Sequence, residues 1–259
     1  MRAPASRALF AFGLCAALCV ACACDRLLPR RTGPVGVLSG RVRLAEGAAL
    51  PEYAAVDLSR RPLLPDRLPQ APTACAAANE RARRPVELGA DRGLGGVIVA
   101  ASDFTRFRQR DLVKHRVVIQ GCRLSPAVIA AQGGDVLELE NLDDFDFEPL
   151  LGPTFTPRAL PRGRKVRVPL SPGGIESLIC SPSAPCGRTD LVVFFHSVYA
   201  VTDARGDFRI PAFPAAEQVR VSAWHPLFDA SETFVWLDPG ERASADFSLS
   251  PKRRFVPAD

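Results

Sequence analysis

Eight cysteines and three histidines are the residues of this chain with the most reactive side chains, and their positions already sort them. Cys15, Cys19 and Cys22 lie in an N-terminal apolar run, whereas Cys24, Cys75, Cys122, Cys180 and Cys186 follow it. The loop Cys180-Ser-Pro-Ser-Ala-Pro-Cys186 spaces its sulfurs wider than the C-x2-C of a zinc site, and no histidine pair follows at finger spacing. His115, His196 and His225 each sit in or beside a strand-like segment, and neither H-E-x-x-H nor G-x-S-x-G occurs. Ser197 follows His196 directly. Neighbours in a strand point to opposite faces, so the two cannot act as nucleophile and base. The expectation is a chain without catalytic residues or a cofactor, its histidines structural, with His225 bonding a backbone carbonyl.

Arg2 and Arg7 followed by the uncharged run Ala8 to Ala23 have the layout of a secretory signal peptide over residues 1–23. The run is shorter than the ~20 residues of a bilayer-spanning helix. Its end, Ala21-Cys22-Ala23-Cys24, resembles a bacterial lipoprotein signal and marks Cys24 as the lipidated residue, with Cys22 the alternative. Acylation at Cys24 leaves four cysteines for two disulfides in an oxidising compartment, whereas simple secretion leaves one free thiol. The net charge of +5 is modest, and 33 Lys and Arg face 28 Asp and Glu. That balance argues against nucleic acid.

These residues need a scaffold, and the pattern beyond the Arg- and Pro-rich stretch 24–34, read as a tether, is one of short strands. Val35 onward alternates, residues 51–72 form a Pro-rich connection, and Thr73 to Arg83 is the one helical candidate. Strands are expected at Gly96–Ala100, Arg116–Gln120, Val136–Glu140 and Val166–Leu170, with Leu137 and Leu139 inward and Glu138 and Glu140 toward water. Leu191 to Tyr199 is almost continuously apolar and reads as a central strand where two modules meet. Asp203 and Gly206 close a turn; Phe208 and Ile210, then Val219, Val221 and Ala223, alternate up to Trp224-His225-Pro226. Phe234–Leu237 and a strand with Phe247 and Leu249 complete an all-β chain of two antiparallel β-sandwich modules.

Several of these segments resemble bacterial envelope proteins in which a cupredoxin-like (plastocyanin-like) domain precedes a carboxypeptidase-regulatory-like, transthyretin-like β-sandwich. Gly93-Leu94-Gly95-Gly96-Val97, Gly121-Cys122 with Pro126, and Gly134-Asp135 leading to Asn141-Leu142-Asp143 carry the first resemblance. Thr202-Asp203, Gly206, Phe208, Ile210-Pro211 and Trp224-His225-Pro226 carry the second. The resemblance implies a cupredoxin-like module over 35–187 with a Pro-rich insertion, a carboxypeptidase-regulatory-like module over 188–250, and a disordered tail over 251–259. It also implies a copper site, but Phe145-Asp146-Phe147 stands where the first histidine belongs, and the Cys180–Cys186 loop has neither His nor Met. Structural disulfides are expected instead, Cys75 with Cys122 and Cys180 with Cys186, worth ~4 and ~2 kcal/mol in the chain-entropy account. Other connectivities stay open.

Surfaces carry what function the sequence offers. Trp224 shares a strand face with Arg220 and is expected either between modules or as a sugar- or peptide-binding surface. Phe145 and Phe147 could form a partner patch or cap the core. The acidic run Glu138 to Glu148 and the basic clusters near Arg81 and Arg162 read as solvated faces, with anionic envelope polymers or lipid headgroups the alternative contact of the arginines. The resulting expectation is a non-enzymatic, lipid-anchored component of the cell envelope, in the outer membrane facing the periplasm, that binds protein or glycan. The alternative is copper electron transfer through His196, His225 and Cys180 or Cys186.

Overall fold

The computed structural model describes residues 33–53, 75, 82–152, 159–180 and 185–255. The signal peptide, both candidate lipidation cysteines and most of the tether lie outside the described residues. Of the helix expected at Thr73–Arg83, only Cys75, Ala82 and Arg83 are described. The remaining elements are strands and two short 3-10 turns, Ala90–Arg92 and Arg253–Phe255, so the chain is all-β as its alternation implies.

Four four-stranded sheets form two sandwiches. In the outer sandwich, β1 (Val35–Leu44) runs antiparallel to β14 (Asp207–Pro214) and parallel to β17 (Arg242–Ser244) and β18 (Phe247–Leu249). This sheet faces a second one, ordered β13 (Tyr199–Val201), β4 (Ile98–Ser102), β15 (Gln218–Trp224) and β16 (Ser231–Trp236). Leu38, Val42, Phe208, Ile210, Val219, Val221 and Ala223 fill the space between them, which is what the period-two alternation of these strands dictates. The inner sandwich stacks β10 (Lys165–Pro169), β8 (Val136–Asn141), β5 (Lys114–Ile119) and β6 (Leu124–Ser125) on β7 (Val128–Gln132), β12 (Arg188–Phe194), β11 (Gly174–Cys180) and β9 (Pro149–Leu151). Its core holds Val117, Ile119, Leu137, Leu139, Leu191, Val193 and both cystines. A small pair, β2 (Glu87–Leu88) with β3 (Leu94–Gly95), completes the set.

The sandwiches do not follow each other along the chain, which corrects the expected division at 187/188. β1 and β4 belong to the outer sandwich, and residues 114–194 form a sandwich inserted between β4 and β13. β4 and β13 are themselves antiparallel neighbours, Tyr199 opposite Ala100, so the insert leaves and rejoins its host at one place. A third cluster welds the two: Ile98 and Ala100 of β4 meet Val128, Ala130 and Val192, with Phe194, Tyr199 and Trp224 at the margin. β12 is thus covered on both faces, as its apolar run requires, although it ends at Phe194, before Tyr199.

Polar side chains fix the turns that frame this junction. Thr202 is buried, accepting from the Val97 amide at 2.9 Å and donating to the Leu94 carbonyl at 2.6 Å. Asp203 accepts from the amides of Arg205 and Asp207. Gly206 has φ +82°, and a Cβ there would run into the Val42 carbonyl and the Leu94 amide. In the insert, Asn141 donates to the carbonyls of Phe145 and Leu160 while Asp143 accepts from the Gly121 and Cys122 amides. The Asn-x-Asp turn is therefore a backbone brace. The tail is ordered at least to Phe255, whose ring meets Tyr53 edge-on at 5.8 Å, correcting the expectation of disorder from 251.

Candidate binding surface

β16 is the edge strand of its sheet and alternates against the usual sense: Thr233 and Val235 point inward, whereas Phe234 and Trp236 point out, 58% and 59% exposed. Two residues along a strand advance ~7 Å, so the two rings stand side by side on one face. β15 supplies the neighbouring row, with Arg220 opposite Phe234 and Gln218 opposite Trp236. The Arg220 guanidinium lies 5.6 Å from the Phe234 ring centroid. It is held from both ends, with Nη2 2.8 Å from Asp103 Oδ2 and Nη1 3.8 Å from Glu232 Oε2. Its Nε is buried and meets no hydrogen-bond partner among the described residues. The result is an apolar shelf bordered by one cation and two carboxylates, the mixture that holds a sugar ring by its face and its hydroxyls by their edges.

Among the described residues, the insert covers only the other half of this sheet face and β16 stays open. Trp224, paired with Ile98 across β15 and β4, packs half-buried against the contact cluster. It joins the two sandwiches, while Arg220, two turns of the pleat away, borders the open half. Sequence reasoning named Arg220 but missed Phe234 and Trp236; the available signal was the large-out, small-in order of Thr233-Phe234-Val235-Trp236.

Phe145 and Phe147 do not form a surface. Phe147 is fully buried through its bridge to Leu160, and Phe145 packs on it edge-on at 5.5 Å, partly buried on the same core. Glu138 and Glu140 also depart from expectation: they project from the outer sheet face but are 3% and 8% exposed, roofed by Lys114, Arg116, Lys165 and Arg167.

The residues of the copper alternative lie apart in character and place. Cys180 and Cys186 are joined as a disulfide, as are Cys75 and Cys122. His196 sits among Phe104, Phe107 and Phe194, its Nδ1 accepting from the Val198 amide. His225 is wholly buried, and its Nδ1 accepts from the Leu227 amide, so its partner is a backbone N–H and not the expected carbonyl. Burial lowers the pKa of each imidazole to about 4; for His225 the nearby Asp190 offsets part of the effect. Among the described residues, no three of His, Cys, Asp and Glu converge as metal ligands.

Two buried aspartates brace the junction. Asp135 would be pushed up by burial, but the Arg110 guanidinium, the Val113 and Gln132 amides and His115 together hold it well below the usual carboxylate range. Arg110 also donates to the Tyr199 hydroxyl at 2.7 Å, tying insert to host. Asp190 accepts from Tyr53 at 2.7 Å and from Arg188 at 2.6 Å. Both carboxylates are saturated by protein donors, which leaves them nothing to offer a substrate.

No protein-family model matches the chain, and no curated protein does. Among solved structures, the Cu-containing nitrite reductase from Thermus scotoductus SA-01 is similar at 22% identity over 33% of this chain, with a TM-score of 0.29. The chain covers 23% of that enzyme's length, and a likeness of this size carries no argument about function.

Proposed function

We propose that this chain is a non-enzymatic, exported module of the cell envelope, anchored by a lipid on Cys24, that binds a glycan on the β15–β16 face. The observation that carries the reading is the pair of exposed rings, Phe234 and Trp236, flanked by the clamped Arg220. Large apolar groups at an edge strand are a liability unless a partner covers them. The two-sandwich architecture and the buried roles of Thr202 and Asn141 support reading the insert as cupredoxin-like and its host as carboxypeptidase-regulatory-like. The cystine at Cys180–Cys186 withholds the thiolate that copper electron transfer would need, so that alternative is not advanced.

Trp224 and Trp236 are the two tryptophans, and Trp236 is the exposed one, so binding can be read by fluorescence. Titration with a panel of soluble envelope oligosaccharides is expected to shift the emission, and Trp236→Ala, titrated by calorimetry because the reporter ring is gone, to weaken the best ligand about tenfold, ~1.4 kcal/mol, with the melting temperature unchanged. If every oligosaccharide leaves emission flat, or if Trp236→Ala binds as well as the native chain, the glycan reading fails.

A further inference from the structure

The outer face of the β5–β8–β10 sheet is unconnected to the aromatic edge and carries its own arrangement. Alternation puts Lys114 and Arg116 of β5, Glu138 and Glu140 of β8, and Lys165 and Arg167 of β10 on that one face. Each glutamate receives a cation from either side: Glu138 from Lys114 at 3.2 Å and Arg167 at 2.9 Å, Glu140 from Arg116 at 2.8 Å and Lys165 at 3.3 Å. The β10 partners stand directly opposite their glutamates, while those of β5 reach diagonally by two residues. Glutamate side chains are 4% and 10% exposed, whereas the four cations are 47% to 68% exposed. The carboxylates therefore lie beneath and the cations above.

Four cations over two anions leave a surplus of two positive charges on the outermost layer. Each ammonium carries three N–H donors and each guanidinium five, more than two carboxylates can absorb. The cations form two rows, ~7 Å apart along a strand and ~10 Å apart across β8. The remaining outward residues of these three strands are Val118 and Val136, both half-buried, and Pro169, which is exposed. A protein partner would need aromatic or large apolar anchors, in which interfaces are enriched while Lys and Glu are depleted, and among the described residues these strands present no outward aromatic ring, only two half-buried valines and Pro169. A sheet face bearing a double row of outward cations complements a layer of anionic oxygen acceptors. We propose that the outer face of the β5–β8–β10 sheet docks on anionic phospholipid headgroups through Lys114, Arg116, Lys165 and Arg167.

The lysines of this chain are Lys114, Lys165 and Lys252, two on the face and one in the outer sandwich, so amine acetylation maps the contact directly. The full chain is labelled alone, with phosphatidylglycerol vesicles, and with phosphatidylcholine vesicles. Any insertion by the N-terminal apolar run acts on both vesicle types alike, and the difference between them reads the sheet face. Acetylation of Lys114 and Lys165 is expected to slow at least fivefold on phosphatidylglycerol only, with Lys252 unchanged and protection lost in high salt. The pair Glu138→Gln with Glu140→Gln raises the surplus from two charges to four and is expected to deepen the protection. Equal rates on both vesicles, or slowing of all three lysines together, would overturn the proposal even if the variant failed to fold. Protection by a soluble anionic polysaccharide but not by vesicles would overturn the choice of lipid.

Discussion

His196 and His225 make the fold sensitive to mild acid. An unfolded histidine takes up its proton near pH 6.5, but these two stay neutral in the folded chain down to about 4. Protons thus favour the unfolded state across that interval, so stability is full above pH 7 and declines as pH falls from 6.5 to 4, by about 2–3 kcal/mol for the fully buried His225. Asp135 is depressed too, by its hydrogen-bond donors, so protons again favour the unfolded chain but in a lower window: its contribution persists through the same interval and is lost only below the ordinary aspartate range. Urea midpoints measured from pH 8 to 4 are expected to fall along this curve, and His225→Asn to flatten roughly half of it. An unchanged slope in that variant would remove His225 from the account. The sequence identified His225 as structural from its Trp-His-Pro setting but not its partner, because which ring nitrogen is engaged depends on the loop that follows. Phe-Asp-Phe was more readable: of the two alternatives, partner patch and core cap, the cap is what forms, with Leu160 bridging Phe147 and closing over it.

Strand alternation was the most readable element. β14 and β15 bury the residues their period demands, because each has one core face and one open face. Glu138 and Glu140 obey the same alternation yet end up covered, since their burial comes from side chains of β5 and β10, and strand pairing is not written in β8 itself. Turns carry a sharper prediction. Gly163 and Gly206 both have positive φ, but a Cβ at Gly163 would meet nothing within 4 Å, whereas at Gly206 it would strike two backbone atoms. Gly163→Ala is expected to lower stability by about 1–2 kcal/mol for the left-handed conformation alone, and Gly206→Ala by clearly more, as chemical denaturation would show. Equal losses would mean that the β13–β14 turn has room to shift. Gly206 was recognised from sequence as a turn residue. Its crowding by β1 and β3 was not, because those strands precede it by more than a hundred residues.

At the level of the whole molecule, the sequence yielded two sandwiches but divided them wrongly, since insertion leaves no mark on local alternation and a linear reading assigns each strand to its nearest neighbours. The distinction can be measured. A fragment of residues 188–250 lacks β1 and β4, the central strands of both host sheets, and is expected to give the circular dichroism of an unfolded chain. A folded fragment would refute the interleaved topology. The cystines differ in the same global sense: Cys75–Cys122 spans 47 residues and Cys180–Cys186 spans 6. Replacing the first pair by serine is expected to cost about 4 kcal/mol and the second about 2 in the loop-closure account, read from urea midpoints. β1 adds a demand of its own. Its hydrogen-bonding neighbours β14, β17 and β18 follow it by more than 160 residues, counted from Leu44 to Asp207. Until those strands are made, β1 has only the single bridge from Arg43 to Gly93, and the long loop it must close makes its full pairing slow. Such a chain keeps its host sandwich unclosed, with inward apolar rows lacking their cover, until β14 has been made and returns to β1.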